Sequence, residues 1–347
     1  MTDEIRWGFI GTGLMARVFA EGLSDLPEAR LVAVGSRTRA AAEAFGEQFG
    51  VPHRHSSYAA LVNDPAVDIV YVATPHPYHM QNSLLALEAG KPVLCEKPFT
   101  LNAAQAEVVI STARERGLFL MEAMWSRFLP AMQKLRELLA DQVIGEVRLV
   151  VAGCCHPPGM ELAPRLLDPE LGGGALLDLG VYPISLTTMV LGRASSVTSK
   201  AHLGGTGVDE RSATILTYDR GEMALVYTAL RTNAPRDIVV MGTKGWIRTP
   251  LIKPREVTVF SPDRGERVIE TPMVGNGRNH EAAAVMSCLR QGRLESETMP
   301  LDETLDIMRT LDDIRHQWGL KYPMERCGIS IPGLRQARTR QSLPIDQ

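Results

Sequence analysis

Lys97, Asp178 and Tyr182 are the residues of this 347-residue chain best suited, by type and neighbourhood, to moving a proton. Lys97 sits in Glu96-Lys97-Pro98, directly after the apolar run Pro92–Cys95. A lysine at the carboxyl end of a strand faces the edge where open α/β sheets bind their ligands. There it can hydrogen-bond a reacting hydroxyl and stabilise the alkoxide, or carry the proton itself if its pKa is lowered. Asp178 and Tyr182 lie four apart in Gly172-Gly173-Gly174-Ala175-Leu176-Leu177-Asp178-Leu179-Gly180-Val181-Tyr182-Pro183, so one helical turn points both the same way. The plainer account of that pair is a helix cap and a packed tyrosine. Thr74-Pro75-His76-Pro77-Tyr78-His79 ends a neighbouring strand at the same edge. Thr74, Pro75, His76, His79 and Glu96 are therefore expected around a cofactor or substrate, with capping and packing as rival roles for the histidines.

A second constellation concerns phosphate. Gly11-Thr12-Gly13-Leu14-Met15-Ala16 follows an apolar strand and opens a helix. In this GxGxxA pattern the first glycine permits the tight turn, the second admits a pyrophosphate, and Ala16 lets helix and strand pack closely. The free amides of the helix start then face the negative charge. The second strand ends in Ser36-Arg37-Thr38-Arg39, where an NAD site would carry Asp or Glu. Ser36 can donate to a 2′-phosphate and Arg37 can pair with it or stack on adenine. NADP is the expected cofactor, with NAD as an alternative.

These residues need a scaffold, and the first 120 residues alternate strand and helix signals. Strands are expected at Arg6–Ile10, Leu31–Ser36, Asp68–Ala73, Pro92–Cys95 and Leu118–Met121, with helices between them, including one at His79–Ala89 and one at Ala103–Arg116. Such alternation means parallel βαβ units. After about residue 122 the rhythm changes. A helix at Leu129–Leu139 leads to a long strand, Gly145–Cys155, and another helix is expected at Leu179–Leu191. Strands then follow one another at Ser195–Leu203, Arg211–Tyr218, Met223–Leu230, Asp237–Gly242 and Val257–Phe260, and helices close the chain at His280–Gln291 and Asp302–Trp318, with Asp302 as N-cap. The expected fold is α/β: an N-terminal Rossmann doubly wound parallel sheet plus a C-terminal α+β domain with an open, mostly antiparallel sheet. The boundaries read as 1–122 for dinucleotide binding, 123–330 for substrate and assembly, and 331–347 as a tail.

A net charge of −3 argues against nucleic acid or an anionic membrane as partner. Five cysteines without a CxxC describe neither a disulfide framework nor a zinc site, and no metal centre is expected. They read as reduced thiols in a cytoplasmic protein. No uninterrupted run of 18 apolar residues is present, so no membrane span is expected.

The motifs GTGLMA, ATPHPYH, EKP and GGGALLDLGVYP, in this order and spacing, resemble the glucose–fructose oxidoreductase / inositol dehydrogenase (Gfo/Idh/MocA) family over roughly residues 5 to 320. The resemblance implies hydride transfer between a nicotinamide and a secondary alcohol or hemiacetal carbon of a sugar or polyol. It implies active-site roles for Lys97 and Asp178, and a cofactor contact for Arg165. Many members carry histidine four residues after that aspartate, where this chain has Tyr182. The tyrosine, with Met121–Phe128 and the His76/His79 pair, resembles the dimeric dihydrodiol dehydrogenase / D-xylose:NADP dehydrogenase subgroup, in which it is an acid/base candidate. Trp125 and Phe128 are expected as an apolar wall for a substrate ring. A homodimer through the C-terminal sheet is expected, with a tetramer as an alternative. The rival functions are a keto-sugar or other carbonyl reductase on the same fold, and a non-catalytic NADP-sensing regulator.

Overall fold

The computed structural model describes residues 4–159 and 161–326. Cys327 and the tail 331–347 lie outside the described residues. The N-terminal sheet contains β1 (Ile5–Ile10), β2 (Ala29–Gly35), β3 (His53–His55), β4 (Ile69–Val72), β5 (Val93–Glu96) and β6 (Leu120–Ala123). All are parallel, in the order β3-β2-β1-β4-β5-β6. The order reverses between β1 and β4, which opens the crevice in which such sheets bind ligands. Helices α1 (Leu14–Leu23), α2 (Arg39–Phe49), α3 (Tyr58–Val62), α4 (His79–Glu88) and α5 (Ala103–Arg116) connect the strands. The run Ile69–Val72 is fully buried, as a strand covered on both faces must be. Phe19 of α1 stacks on Tyr71 at 4.1 Å between centroids and locks the helix over the sheet. β3 was not anticipated; its sequence, His-Arg-His, carries no apolar alternation.

After α6 (Pro130–Ala140), the second sheet is built from β7 (Val147–Cys155), β8 (Ser196–Leu203), β9 (Asp209–Thr217), β10 (Met223–Ala229), β11 (Asp237–Gly242), β12 (Gly245–Pro250), β13 (Glu256–Ser261) and β14 (Gly265–Glu270). Its order is β14-β13-β12-β11-β7-β10-β9-β8. It is antiparallel except where β7 and β10 run parallel at its centre. That pairing needs the long crossover that carries α7 (Val181–Leu191). β12 and β14 are additions to the expected strands; β14, Gly-Glu-Arg-Val-Ile-Glu, is a charged edge strand with little apolar signal.

Register separates the two faces of this sheet. Leu216, Ala224, Val150, Val240, Ile247 and Val259 align across neighbouring strands and are buried. The adjacent row, Ile215, Leu225, Val151 and Val239, aligns on the opposite face. Ile215 and Leu225 there are 38% and 43% exposed, respectively, so an apolar row faces outward.

Helices α8 (Arg278–Arg290) and α9 (Leu301–Trp318) return to the first layer. Asp302 is not the N-cap of α9: the cap is Pro300, and the Asp302 carboxylate reaches Arg114 of α5 at 2.8 Å. Asp312 accepts from the Ala103 amide at 2.8 Å, so α9 also caps α5 from across the molecule. Pro169–Leu191 is apolar enough to cross a bilayer by composition, with a mean hydropathy of 1.5 over its best window. That window is 78% buried inside the fold, which makes it a core segment. Cys95, Cys154, Cys155 and Cys288 are buried free thiols.

Candidate active site

The first βα turn is shaped by backbone contact. Gly11 has φ +107°, and a Cβ there would lie 2.7 Å from the Ala73 carbonyl, so only glycine fits. Gly13 starts α1 without a side-chain cap, and a Cβ there would meet nothing within 4 Å. Open space before an uncapped helix start is the cradle a pyrophosphate requires. A cavity of about 350 Å³ extends from it, lined by Gly11, Thr12, Gly13, Ser36, Arg37, Thr74 and Pro75. Tyr58, Ala73, Tyr78, Gln81 and Asn82 complete its wall, and among the described residues no carboxylate lines it. Thr38 caps α2 through its hydroxyl, accepting from the Ala41 amide, and so turns the chain just after Arg37. Arg39 is drawn away into an ion pair with Glu43.

A second cleft of about 420 Å³ begins at Gly13, Leu14 and Met15 and runs towards the second sheet. Lys97, Asp178, Tyr182, Trp125, Arg165, Glu96, His76 and His79 all line it. The turn carrying Lys97 is fixed by two buried carboxyl groups. Glu96 accepts from Tyr71 Oη at 2.5 Å and from the Lys97 amide at 3.2 Å, and Glu122 accepts from the Phe99 amide at 3.1 Å. The segment carrying Asp178 opens with a π-helical turn, Leu176–Gly180, that runs into α7, where a plain helix from Leu179 was expected. Asp209 of β9 accepts from the Leu176 amide at 2.7 Å and so anchors this turn. Gly174, at φ +113°, is required beside it, since a Cβ would lie 2.1 Å from Asp209 Oδ1.

The geometry joins residues from three elements. Lys97 Nζ donates to the Asp178 carbonyl at 2.8 Å and lies 3.4 Å from Asp178 Oδ1. It also sits 4.7 Å above the centroid of the Tyr182 ring. Burial works against the charge on Lys97, but Asp178 and Tyr182 outweigh it and raise the pKa above the ordinary lysine value. The raised pKa favours the ammonium, the form that can stabilise an alkoxide. Burial likewise opposes the charge on Asp178, yet Lys97 and then Arg165 hold its carboxyl well below the usual range. Arg165 Nη2 meets Asp178 Oδ1 at 2.9 Å, so its guanidinium is engaged by the aspartate at the cleft wall.

Two further expectations change. Trp125 is more than an apolar wall: its Nε1 donates to Tyr182 Oη at 3.1 Å. An indole nitrogen only donates, so the tyrosine's own hydrogen must point elsewhere. Arg278, 4.3 Å over the indole, pins it from behind. Phe128 does not line the cleft; it is buried in the core at the end of the 3-10 turn Trp125–Phe128. His79 is fully buried, with Nδ1 2.8 Å from the Pro98 carbonyl and Nε2 2.7 Å from the Thr74 carbonyl. It thereby ties the two loops together; burial lowers its pKa while both carbonyls oppose that. His76 reaches the Gly172 carbonyl at 3.3 Å, and burial keeps it neutral. Cys154, Cys155, His156, Arg236 and Ile252 line the far wall, and nothing in their local pattern announced it.

The chain is similar to known proteins in sequence and in fold. The model of the oxidoreductase family with an NAD-binding Rossmann fold, GFO/IDH/MocA, matches residues 5–124, and that of its C-terminal domain matches residues 132–248. The chain belongs to this family and is a nicotinamide-dependent oxidoreductase. Trans-1,2-dihydrobenzene-1,2-diol dehydrogenase of Xenopus tropicalis is 37% identical over 331 residues, covering 92% of this chain and 99% of that one. D-xylose 1-dehydrogenase (NADP+) of Hypocrea jecorina is 36% identical over 364 residues, covering 92% and 93%. A 3-ketoreductase from Actinomadura kijaniata, in complex with NADP and TDP-benzene, superposes with a TM-score of 0.79 at 28% identity, covering 90% and 97%.

Proposed function

We propose that this chain is an NADP-dependent dehydrogenase of an aldose or a cyclic vicinal diol. The observation that carries this reading is the meeting of Lys97, Asp178 and Tyr182 in one cleft that continues from the uncapped start of α1. Residues 1–122 hold the cofactor, and 123–330 supply Asp178, Tyr182 and the assembly surface. The nicotinamide supplies hydride exchange at the substrate carbon. In the reducing direction Tyr182 passes its hydroxyl hydrogen to the carbonyl oxygen, and Lys97 stabilises the oxygen as it gains charge. Trp125 and Lys97 then hold the phenolate, and the oxidising direction reverses these steps. Asp178 keeps Lys97 in place, and Arg165 keeps Asp178 ionised. Turnover is tested with aldoses, polyols and trans-diols against NADP and NAD, followed by absorbance of the reduced nicotinamide. Oxidation of at least one such substrate with NADP is expected. Activity confined to NADPH and keto-sugars would favour the carbonyl reductase, as in the 3-ketoreductase relative. Binding of NADP without turnover of any substrate would favour the sensor.

NADP preference rests on Ser36, which is buried, and Arg37 at the mouth of a cavity without a carboxylate. Arg37→Ala is expected to weaken NADP by about 1.5–3 kcal/mol, the loss of one charge-assisted phosphate contact, and NAD far less. Calorimetry decides it: equal affinities for the two cofactors in the unmutated protein would overturn the preference.

The outward row of Ile215, Leu225, Val151 and Val239 supports a homodimer that covers the second sheet. Light scattering should return about twice the 38.0 kDa of one chain. A single-chain mass at micromolar concentration would remove the dimer, and a fourfold mass would support the tetramer. Buried free thiols suit a reducing compartment, which favours a cytoplasmic location.

A further inference from the structure

The proposed reaction uses no metal ion, yet a metal-type donor set lies away from the cleft, at the outer edge of the first sheet. His53 and His55 are two apart on β3, so their side chains leave the same face of the strand. His53 Nδ1 lies 2.6 Å from Asp64 Oδ2, and His55 Nε2 lies 2.9 Å from the same oxygen. All three donor atoms fall within 4.8 Å of one another. Asp64, in the turn after α3, is buried, and its other oxygen accepts from the Ala66 amide at 2.9 Å. That amide aims Oδ2 at the histidines. The nearby ammonium of Lys91 is engaged by the backbone carbonyls of Asp64 and Val67, at 3.0 and 2.7 Å.

We propose that His53, His55 and Asp64 bind one divalent transition-metal ion, with Zn²⁺ as the best match. Two imidazoles and one carboxylate are the borderline nitrogen and oxygen donors this ion prefers, and three protein ligands leave one position for water. Metal–ligand bonds of about 2.0–2.1 Å on a tetrahedral ion hold donor atoms roughly 3.3 Å apart. The two hydrogen-bonded separations must therefore open by about 0.7 Å at His53 and about 0.4 Å at His55, and the His53 side chain, 45% exposed, has room to move and gives the ion a path in. The ion takes the place of the protons that two ring nitrogens otherwise share with one oxygen. It clips β3 to the turn after α3. Because the Ser36 amide donates to the His55 carbonyl at 3.1 Å, the clip also braces the strand behind the cofactor loop. None of the three ligands lines the cleft that holds Lys97, so the ion is structural.

The test is calorimetric titration of Zn²⁺ into the untagged, chelator-treated full chain. One equivalent is expected to bind and to raise the melting temperature. His53→Gln, at the most exposed ligand, should fold normally by circular dichroism and weaken binding by about 10–100-fold or more. The His53→Gln/His55→Gln double variant should lose both the binding and the thermal shift, while retaining any turnover of the metal-free parent. Absence of a one-equivalent event in the parent would overturn the proposal. So would its survival in the double variant, which would place the ion on other groups such as the thiols.

Discussion

Lys97→Met is expected to lower turnover by about 100-fold or more, equivalent to about 2.7 kcal/mol of transition-state stabilisation, with little change in NADP affinity. The ammonium stands 3.4 Å from Asp178 Oδ1 and 4.7 Å over the Tyr182 ring, in a cleft where burial strengthens its field. Its raised pKa keeps it charged throughout the pH range of an assay, so it acts as a fixed cation. Methionine fills much the same space, and Asp178 retains Arg165 as its partner at 2.9 Å, so the fold should survive. Steady-state kinetics beside a cofactor titration reads the effect. Turnover within tenfold of the parent would take Lys97 out of the chemical step.

Tyr182→Phe should cost roughly 10²–10⁴-fold in rate if the hydroxyl is the general acid and base. The ring remains beneath Lys97, so packing and the cation–π contact are preserved. What is lost is a hydroxyl whose oxygen already accepts from Trp125 Nε1 at 3.1 Å, which leaves its hydrogen free for the substrate. The substitution also leaves the buried indole N–H without its acceptor. A loss of stability of about 1–3 kcal/mol is therefore expected alongside the kinetic effect, measured by denaturant unfolding. A packed tyrosine with no chemical duty would show the stability loss with turnover within a few-fold. Full activity in a folded Tyr182→Phe protein would take the Tyr182 hydroxyl out of the proton transfer.

The glycine fingerprint, the Ser36-Arg37 pair and Lys97 after β5 were legible because each depends on neighbours in sequence. Tight turns, helix starts and strand ends are local events, and their residue preferences follow from backbone sterics and free amides. β3 and β14 were not legible, because charged edge strands form by pairing to partners that local pattern does not encode. The same holds for the parallel pairing of β7 with β10.

The strand–helix alternation of the first layer, its parallel sheet and the mostly antiparallel second sheet were determined by sequence alone, apart from β3, β12 and β14. Tertiary structure decided what the chemical groups do to one another. Phe128 turned inward while Trp125, three residues away, became the donor to Tyr182. His79 became a clamp between two backbone carbonyls, and Lys97 acquired its raised pKa from Asp178, 81 residues distant. Side-chain direction, burial and electrostatic coupling arise from groups brought together by the closed fold, and their strength falls within a few ångströms. No sequence spacing specifies such distances; they exist only once the two layers have packed.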